Sequence, residues 1–159
     1  MSDTRRNQRM SDCCSNSASI NTLPCPDCGG ICKGVAMRTL YHQVRFPENL
    51  KIVAEVYYFC PDRHCKIGYF SVSGNIIAKQ LLTACRGIQA DRLCYCFGID
   101  ADQYLSALRA GDAETIKGFV IQRTQAGECA CEVRNPSGQC CLAKFKKLEQ
   151  NSKFQQNFS

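Results

Sequence analysis

The sequence predicts an α+β fold in two parts, a small β-rich module followed by a helical one. Three observations predict it. Up to about residue 90, β-branched and aromatic residues gather in short runs with partial alternation. Beyond residue 100, apolar residues recur at helical spacing between residues suited to helix ends. The chain also holds 14 cysteines in 159 residues, near the share at which cross-links or bound metal, rather than a large apolar core, organise a small fold.

Each segment follows from its composition. Residues 1–20 are rich in Ser, Asn, Asp and Arg and nearly devoid of apolar residues, so a disordered tail is expected. Cys13 and Cys14 fall inside it, where adjacent thiols make poor members of a rigid site. Residues 21–90 form the expected β-rich module, with strands at Val35–Tyr41, Lys51–Phe59, Lys66–Val72 and Ile76–Lys79. Ser73-Gly74-Asn75 is a hairpin turn between the last two. Residues 91–150 form the helical module. Asp100 caps a helix to about Ala110, with Tyr104, Leu105 and Leu108 on one face, and Gly111 ends it. Asp112 caps the next, through Ile116, Phe119, Val120 and Arg123, which stops near Gly127. Asn135-Pro136-Ser137-Gly138 is a turn, and Ser137 or Gly138 opens a third helix ending near Gln150. Residues 151–159 are polar and expected to be a flexible C-terminal tail.

The composition also excludes several classes. The longest nearly apolar run, Ile52–Cys60, is interrupted by Glu55 and too short to span a bilayer, so no membrane insertion is expected. No Gly-rich dinucleotide or P-loop sequence occurs. The first ten residues are polar and lack a signal core, which favours a cytoplasmic location, where thiols stay reduced and serve as metal ligands or redox centres rather than disulfides. The formal charge of +6 has no dense basic stripe behind it, so nucleic acid is not the expected partner. Lys144, Lys146, Lys147 and Lys153 read as a solvated helix face, or failing that as a docking patch for an acidic partner.

The cysteines fall in close couples separated by long segments. Cys25-Pro26-Asp27-Cys28 is a C-x2-C knuckle followed by Gly29-Gly30, and Cys60 to Cys65 is C-x4-C at the end of a strand. The 31 residues between the couples leave room for a strand, a turn and a returning strand. Zn(II) favours four tetrahedral ligands and is well suited by thiolate, so Cys25, Cys28, Cys60 and Cys65 are the expected ligands of a closed, structural zinc site. His64 sits inside the second knuckle and is expected as a neighbour, and Cys32 as a spare buried thiol. His42 has no ligand spacing.

The second constellation is Cys94-Tyr95-Cys96, then Cys131 after 34 residues, then Cys140-Cys141. C-x-C can present two sulfurs to one metal while the later couple serves a second, and a two-iron cluster takes four thiolates. By spacing, a second zinc and redox-active thiols remain open beside it. If eight thiolates ionise, the zinc and the cluster core return half of the lost charge and the loaded chain falls to about +2.

A resemblance narrows these alternatives. Cys25-Pro26-Asp27-Cys28, Tyr57-Tyr58-Phe59-Cys60, Cys65 with Gly68-Tyr69-Phe70, Cys94-Tyr95-Cys96-Phe97 and Asn135-Pro136-Ser137-Gly138-Gln139-Cys140-Cys141 resemble the N-terminal domain of the two-domain copper chaperones of the CopZ type. The likeness runs from about Leu23 to Leu148. It implies a β-rich zinc-binding module followed by a helical [2Fe-2S]-binding module similar to bacterioferritin-associated ferredoxin. It implies zinc at Cys25, Cys28, Cys60 and Cys65, and the cluster at Cys94, Cys96, Cys131 and one of Cys141 or Cys140, with Cys141 favoured.

The chain departs from that family in ways that shape the functional expectation. No Met-x-Cys-x-x-Cys copper loop occurs and 18 residues follow Cys141. Cys129, two residues before Cys131, offers a competing ligand, and Cys85 reads as a core thiol. The resemblance therefore implies an electron-transfer or metal-handling accessory protein of copper homeostasis, reducing Cu(II) to Cu(I) for a separate copper carrier or another redox partner protein. The alternative is a non-enzymatic iron–sulfur redox or metal sensor or scaffold. A thiol enzyme using Cys13–Cys14 or Cys28–Cys32 ranks below both.

Overall fold

In the computed structural model, residues 21–85 and 92–157 are described. The expected tail at residues 1–20, with Cys13 and Cys14, lies outside them.

The first half is a five-stranded antiparallel meander, β1 (Thr22–Pro24), β2 (Ile31–Val35), β3 (Tyr57–Phe59), β4 (Ile67–Ser71) and β5 (Ile76–Ala78), paired in chain order. Successive side chains leave a strand on opposite faces, and this sheet buries both. Tyr58 and Phe70, opposite each other across β3–β4, stack at 5.6 Å between ring centroids. They pack with Cys25, Cys32, Cys60 and Cys65. Tyr57 and Tyr69 project to the other face and pack with Leu40, Val44 and Leu82.

A bulge divides the two sets. Between Ile67 and Tyr69, β4 carries one more residue than β5, so Ile67 joins Phe70 on the thiol side instead of Tyr69. The extra residue is Gly68. A Cβ there would sit 3.0 Å from Leu82 Cδ1 and 3.1 Å from Lys79 Cα, so the close approach of the following turn requires glycine.

Two expected strands are different in the structure. Val35 ends β2, and Met37–Gln43 is a helix, α1, rather than the continuation of a strand to Tyr41. Leu40 and Val44 bury one stripe of it, and Thr39 and Gln43 a second; both pairs have the i, i+4 spacing of a helix face. Of Lys51–Phe59 only the last three residues are strand, and Glu48–Lys51 is a 3-10 turn. Val53 and Val56 are exposed; their β-branched content has no pairing partner, and strand preference acts through such packing.

The second half opens with a small hairpin, β6 (Arg92–Cys94) and β7 (Ile99–Asp100). Helices α2 (Ala101–Ala110) and α3 (Ala113–Gln125) follow, at the expected places. Asp100 and Gln103 form a capping box, with the Asp100 N–H donating to Gln103 Oε1 at 2.9 Å, and Gly111 ends α2 at φ 78°. A single turn, α4 (Cys131–Arg134), was not expected from the sequence. The last helix, α5 (Leu142–Gln156), begins after the turn and runs six residues past Gln150. Tyr104, Val120, Phe145 and Leu93 form the core here, with Tyr104 and Phe145 edge to face at 4.8 Å. The Tyr104 hydroxyl donates to Glu149, which also holds Lys117 at 2.9 Å.

Candidate metal centres

The C-x2-C knuckle lies in the β1–β2 turn. The Cys25 N–H donates to Gly30 O at 2.8 Å and the Gly29 N–H to Cys25 O at 3.0 Å, and Gly29 takes φ 72°, which its missing Cβ allows. The C-x4-C knuckle leaves β3 and returns into β4, pinned by Cys60 N–H to Gly68 O and Cys65 N–H to Asp62 O. Because β2 pairs with β3, the two turns meet at one end of the sheet. All four sulfurs of Cys25, Cys28, Cys60 and Cys65 lie within 4.8 Å of one another. Cys25 to Cys65 is 3.8 Å and Cys28 to Cys60 is 3.6 Å. Zinc–thiolate bonds of about 2.3 Å in a tetrahedron put sulfurs about 3.8 Å apart, so the donor set fits that ion.

The thiols are unequal. Burial raises the Cys25 thiol, but the amides of Cys28 and Asp27 outweigh it and bring it down to about 7. Burial pushes Cys60 and Cys65 up to about 12, so a cation entering this site must displace protons from them. Cys32 is fully buried against Cys25 and Cys60, donates to Gly30 O at 3.3 Å, and is pushed up to about 11 by burial. His64 is exposed on the knuckle and outside the sulfur group, and His42 is exposed on α1.

The second gathering has another shape. Its sulfurs form a string. Cys96 lies 3.5 Å from Cys131, and Cys141 acts electrostatically on both Cys131 and Cys94. Cys94, Cys131 and Cys141 are buried and Cys96 is half-buried. The Ala130 N–H donates to Cys96 Sγ at 3.2 Å. The Cys141 thiol and backbone N–H both stabilise Cys131 as thiolate, down to about 5, and the Cys141 thiol with the amides of Phe97 and Cys96 brings Cys94 to about 7. Cys141, holding the shared protons, is pushed up, and burial pushes Cys96 up to about 12. Cys129 is half-buried and also reaches Cys131. Cys140 is half-buried, outside this string of contacts. Cys85 is half-buried at the edge of the Tyr57–Tyr69 core.

What holds this string in place comes largely from the other half of the molecule. Asn135 is buried, and its Oδ1 accepts from the Ser137 N–H and hydroxyl while its Nδ2 donates to Gln139 O. These bonds close the turn between Cys131 and Cys141. α1 and β4 then grip it. The Thr39 hydroxyl donates to Glu132 O at 2.7 Å, Gln43 Nε2 donates to Val133 O and Arg134 O at 2.8 and 3.0 Å, and the Tyr69 hydroxyl donates to Pro136 O. Gly138 sits against Thr39, where a Cβ would lie 2.9 Å from the hydroxyl oxygen. Thr39, Gln43 and Tyr69 are the functional residues that sequence reasoning missed. The i, i+4 pairing of Thr39 with Gln43 was the available signal, hidden by the strand reading of that segment.

A short antiparallel sheet with four thiols closed at one end is the architecture of a zinc-binding domain, and the family model described as "Zinc binding domain" matches residues 22–83. That domain is of the CopZ type. The structure is similar to the X-ray structure of the Archaeoglobus fulgidus CopZ N-terminal domain, with a TM-score of 0.61 and 26% sequence identity, over 80% of this chain and 98% of that one. No curated protein matches the chain. Among the described residues, no helix is long and apolar enough to cross a membrane.

Proposed function

We propose that the chain is a cytoplasmic electron-transfer or metal-handling accessory protein with two inorganic centres. Cys25, Cys28, Cys60 and Cys65 hold zinc, and Cys94, Cys96, Cys131 and Cys141 hold a [2Fe-2S] cluster. The zinc site is closed by four protein sulfurs, leaves no position for a substrate, and serves the fold. A cluster bound at the second site supplies one-electron chemistry, suited to converting Cu(II) to Cu(I) for a separate copper carrier.

The observation that carries this reading is the shape of the second gathering. A single tetrahedral ion needs four mutually close sulfurs, as the first site has. Cys94, Cys96, Cys131 and Cys141 interact pairwise without closing to that spacing, which fits a two-metal core better. The chain's own residues prepare it. Cys94 and Cys131 are poised as thiolates, the Ala130 amide offers a hydrogen bond to the Cys96 sulfur, and burial of three of the four excludes water. Cys141 is favoured over Cys140 because it is buried with Cys94 and Cys131 and acts on both thiols.

Metal analysis with electron paramagnetic resonance of the dithionite-reduced protein tests the proposal. One zinc and two irons per chain with a reduced-cluster signal are expected. Protein that remains without iron after anaerobic reconstitution defeats the cluster assignment.

A further inference from the structure

Between the two thiol sites lies a cleft of about 620 Å³. Its walls come from both halves. Cys65 of the first site lines one side, and Tyr95, which separates Cys94 from Cys96, lines the other with Pro136 of the buried turn. Five cationic residues line it, Arg63, Lys66 and Lys79 from the sheet half and Arg92 and Lys144 from the helical half, and no Asp or Glu does among the described residues.

Lys79, Lys144 and Arg92 have counterparts of their own. Lys79 donates to the Asp62 carbonyl and lies over the Phe59 ring. Lys144 lies over the Tyr95 ring at 5.7 Å. Arg92 approaches Asp100 at 3.7 Å. The rings beneath Lys79 and Lys144 hold those two ammonium groups without neutralising them, so the lining carries an excess of positive charge beside apolar Phe59, Pro61 and Pro136.

We propose that this cleft docks an acidic peptide segment of a partner protein, carboxylates meeting the cations that both halves contribute to its lining. The cations come from both halves of the molecule, Arg63, Lys66 and Lys79 from one and Arg92 and Lys144 from the other, and a segment carrying several carboxylates can meet more of them than a single phosphate can. The site rests on the accessory-protein reading only for the identity of the partner. It joins the surface nearest Cys65 to that nearest Cys94 and Cys96, so a partner seated there lies beside both centres. The sequence placed Lys144 on a solvated helix face with Lys146, Lys147 and Lys153; in the structure it is exposed and lies over the Tyr95 ring.

The test is fluorescence anisotropy of a fluorescein-labelled hexaglutamate peptide titrated with the full chain, zinc and iron contents being read on each sample. Binding that weakens with salt is expected. Lys66→Glu with Lys144→Glu should weaken it at least about tenfold. Lys146→Glu with Lys147→Glu, the same charge change on exposed α5 positions, should change it by less than about threefold. Equal losses in the two pairs would show attraction to net charge alone and overturn the cleft. So would a lack of binding at low salt. Displacement by inorganic phosphate, where chloride of equal ionic strength does not displace, would make it a small-anion site and likewise overturn the peptide. An iron-free preparation that still discriminates between the two pairs supports the cleft while removing the cluster.

Discussion

The two thiol sites are assembled by opposite means. The first takes its sulfurs from two tight turns at the same end of one sheet, and the β2–β3 pairing brings the turns together. The second takes them from a hairpin, the start of a one-turn helix and the cap of α5, and it leans on Thr39, Gln43 and Tyr69 of the sheet half for its placement. The difference teaches that dependence runs one way. The sheet site needs little from the helices, whereas the helical site inherits its geometry from the sheet.

The largest effect should come from Cys60→Ser. Structural zinc in small domains contributes apparent free energies of about 10–16 kcal/mol, so loss of one buried ligand should abolish zinc binding and cooperative melting of the sheet half. By the dependence just described it should also abolish iron binding. Metal analysis and circular-dichroism melts measure both, and retention of iron by a zinc-free variant would break the comparison. Next comes the reverse experiment. Cys131→Ser should remove iron but leave about one zinc per chain, and Cys140→Ser should leave both. Loss of zinc from the Cys131 variant would mean that the dependence is mutual.

A smaller effect sharpens the same point at the joint. Gly138→Ala places a Cβ 2.9 Å from the Thr39 hydroxyl at a φ of 68°. It should cost about 1–3 kcal/mol and lower iron retention before zinc retention. Thr39→Ala, which leaves Glu132 O without its donor, should cost about 1–2 kcal/mol. The doubly substituted chain should lose less than the sum, because the second change removes the oxygen that the first one strikes.

The smallest effect concerns acid. Tyr104 and Lys117 hold the Glu149 carboxyl below the usual carboxylate range. A lowered folded value means that its contribution is complete above the unfolded value of about 4.3 and is lost as pH falls through the folded one. Glu149→Gln should therefore lower stability near neutrality by about 1 kcal/mol, with a gap from the parent that narrows below pH ~4. Thermal melts across that range check it, and a constant gap would place the loss in packing instead.

Much of this was legible in the residues. Asp100 and Gly111 mark helix ends by capping chemistry, while Asp112 stands at the start of α3 but accepts from the Thr115 hydroxyl rather than a backbone amide, and C-x2-C with C-x4-C marks a closed site because both couples must sit in tight turns. What escaped depended on partners far away in the chain. Met37–Gln43 looks extended by its neighbours, yet it is a helix because Leu40 and Val44 pack under Tyr57 and Tyr69 while Thr39 and Gln43 face α4. The valines at 53 and 56 suggest a strand that no neighbour pairs with. The Asn135–Gly138 turn was visible, but nothing in its own letters says that Gly138 must clear Thr39.

Beside the exposed Arg38–Glu132 ion pair, the seam between the halves is held by a threonine, a glutamine and a tyrosine hydroxyl reaching main-chain oxygens. Parting it would uncover groups that water can satisfy, not a greasy scar. A seam of that kind can open and reseal without recruiting strangers, and the sheet half, which supplies the donors, can be set against a new neighbour that offers a few well-placed carbonyls.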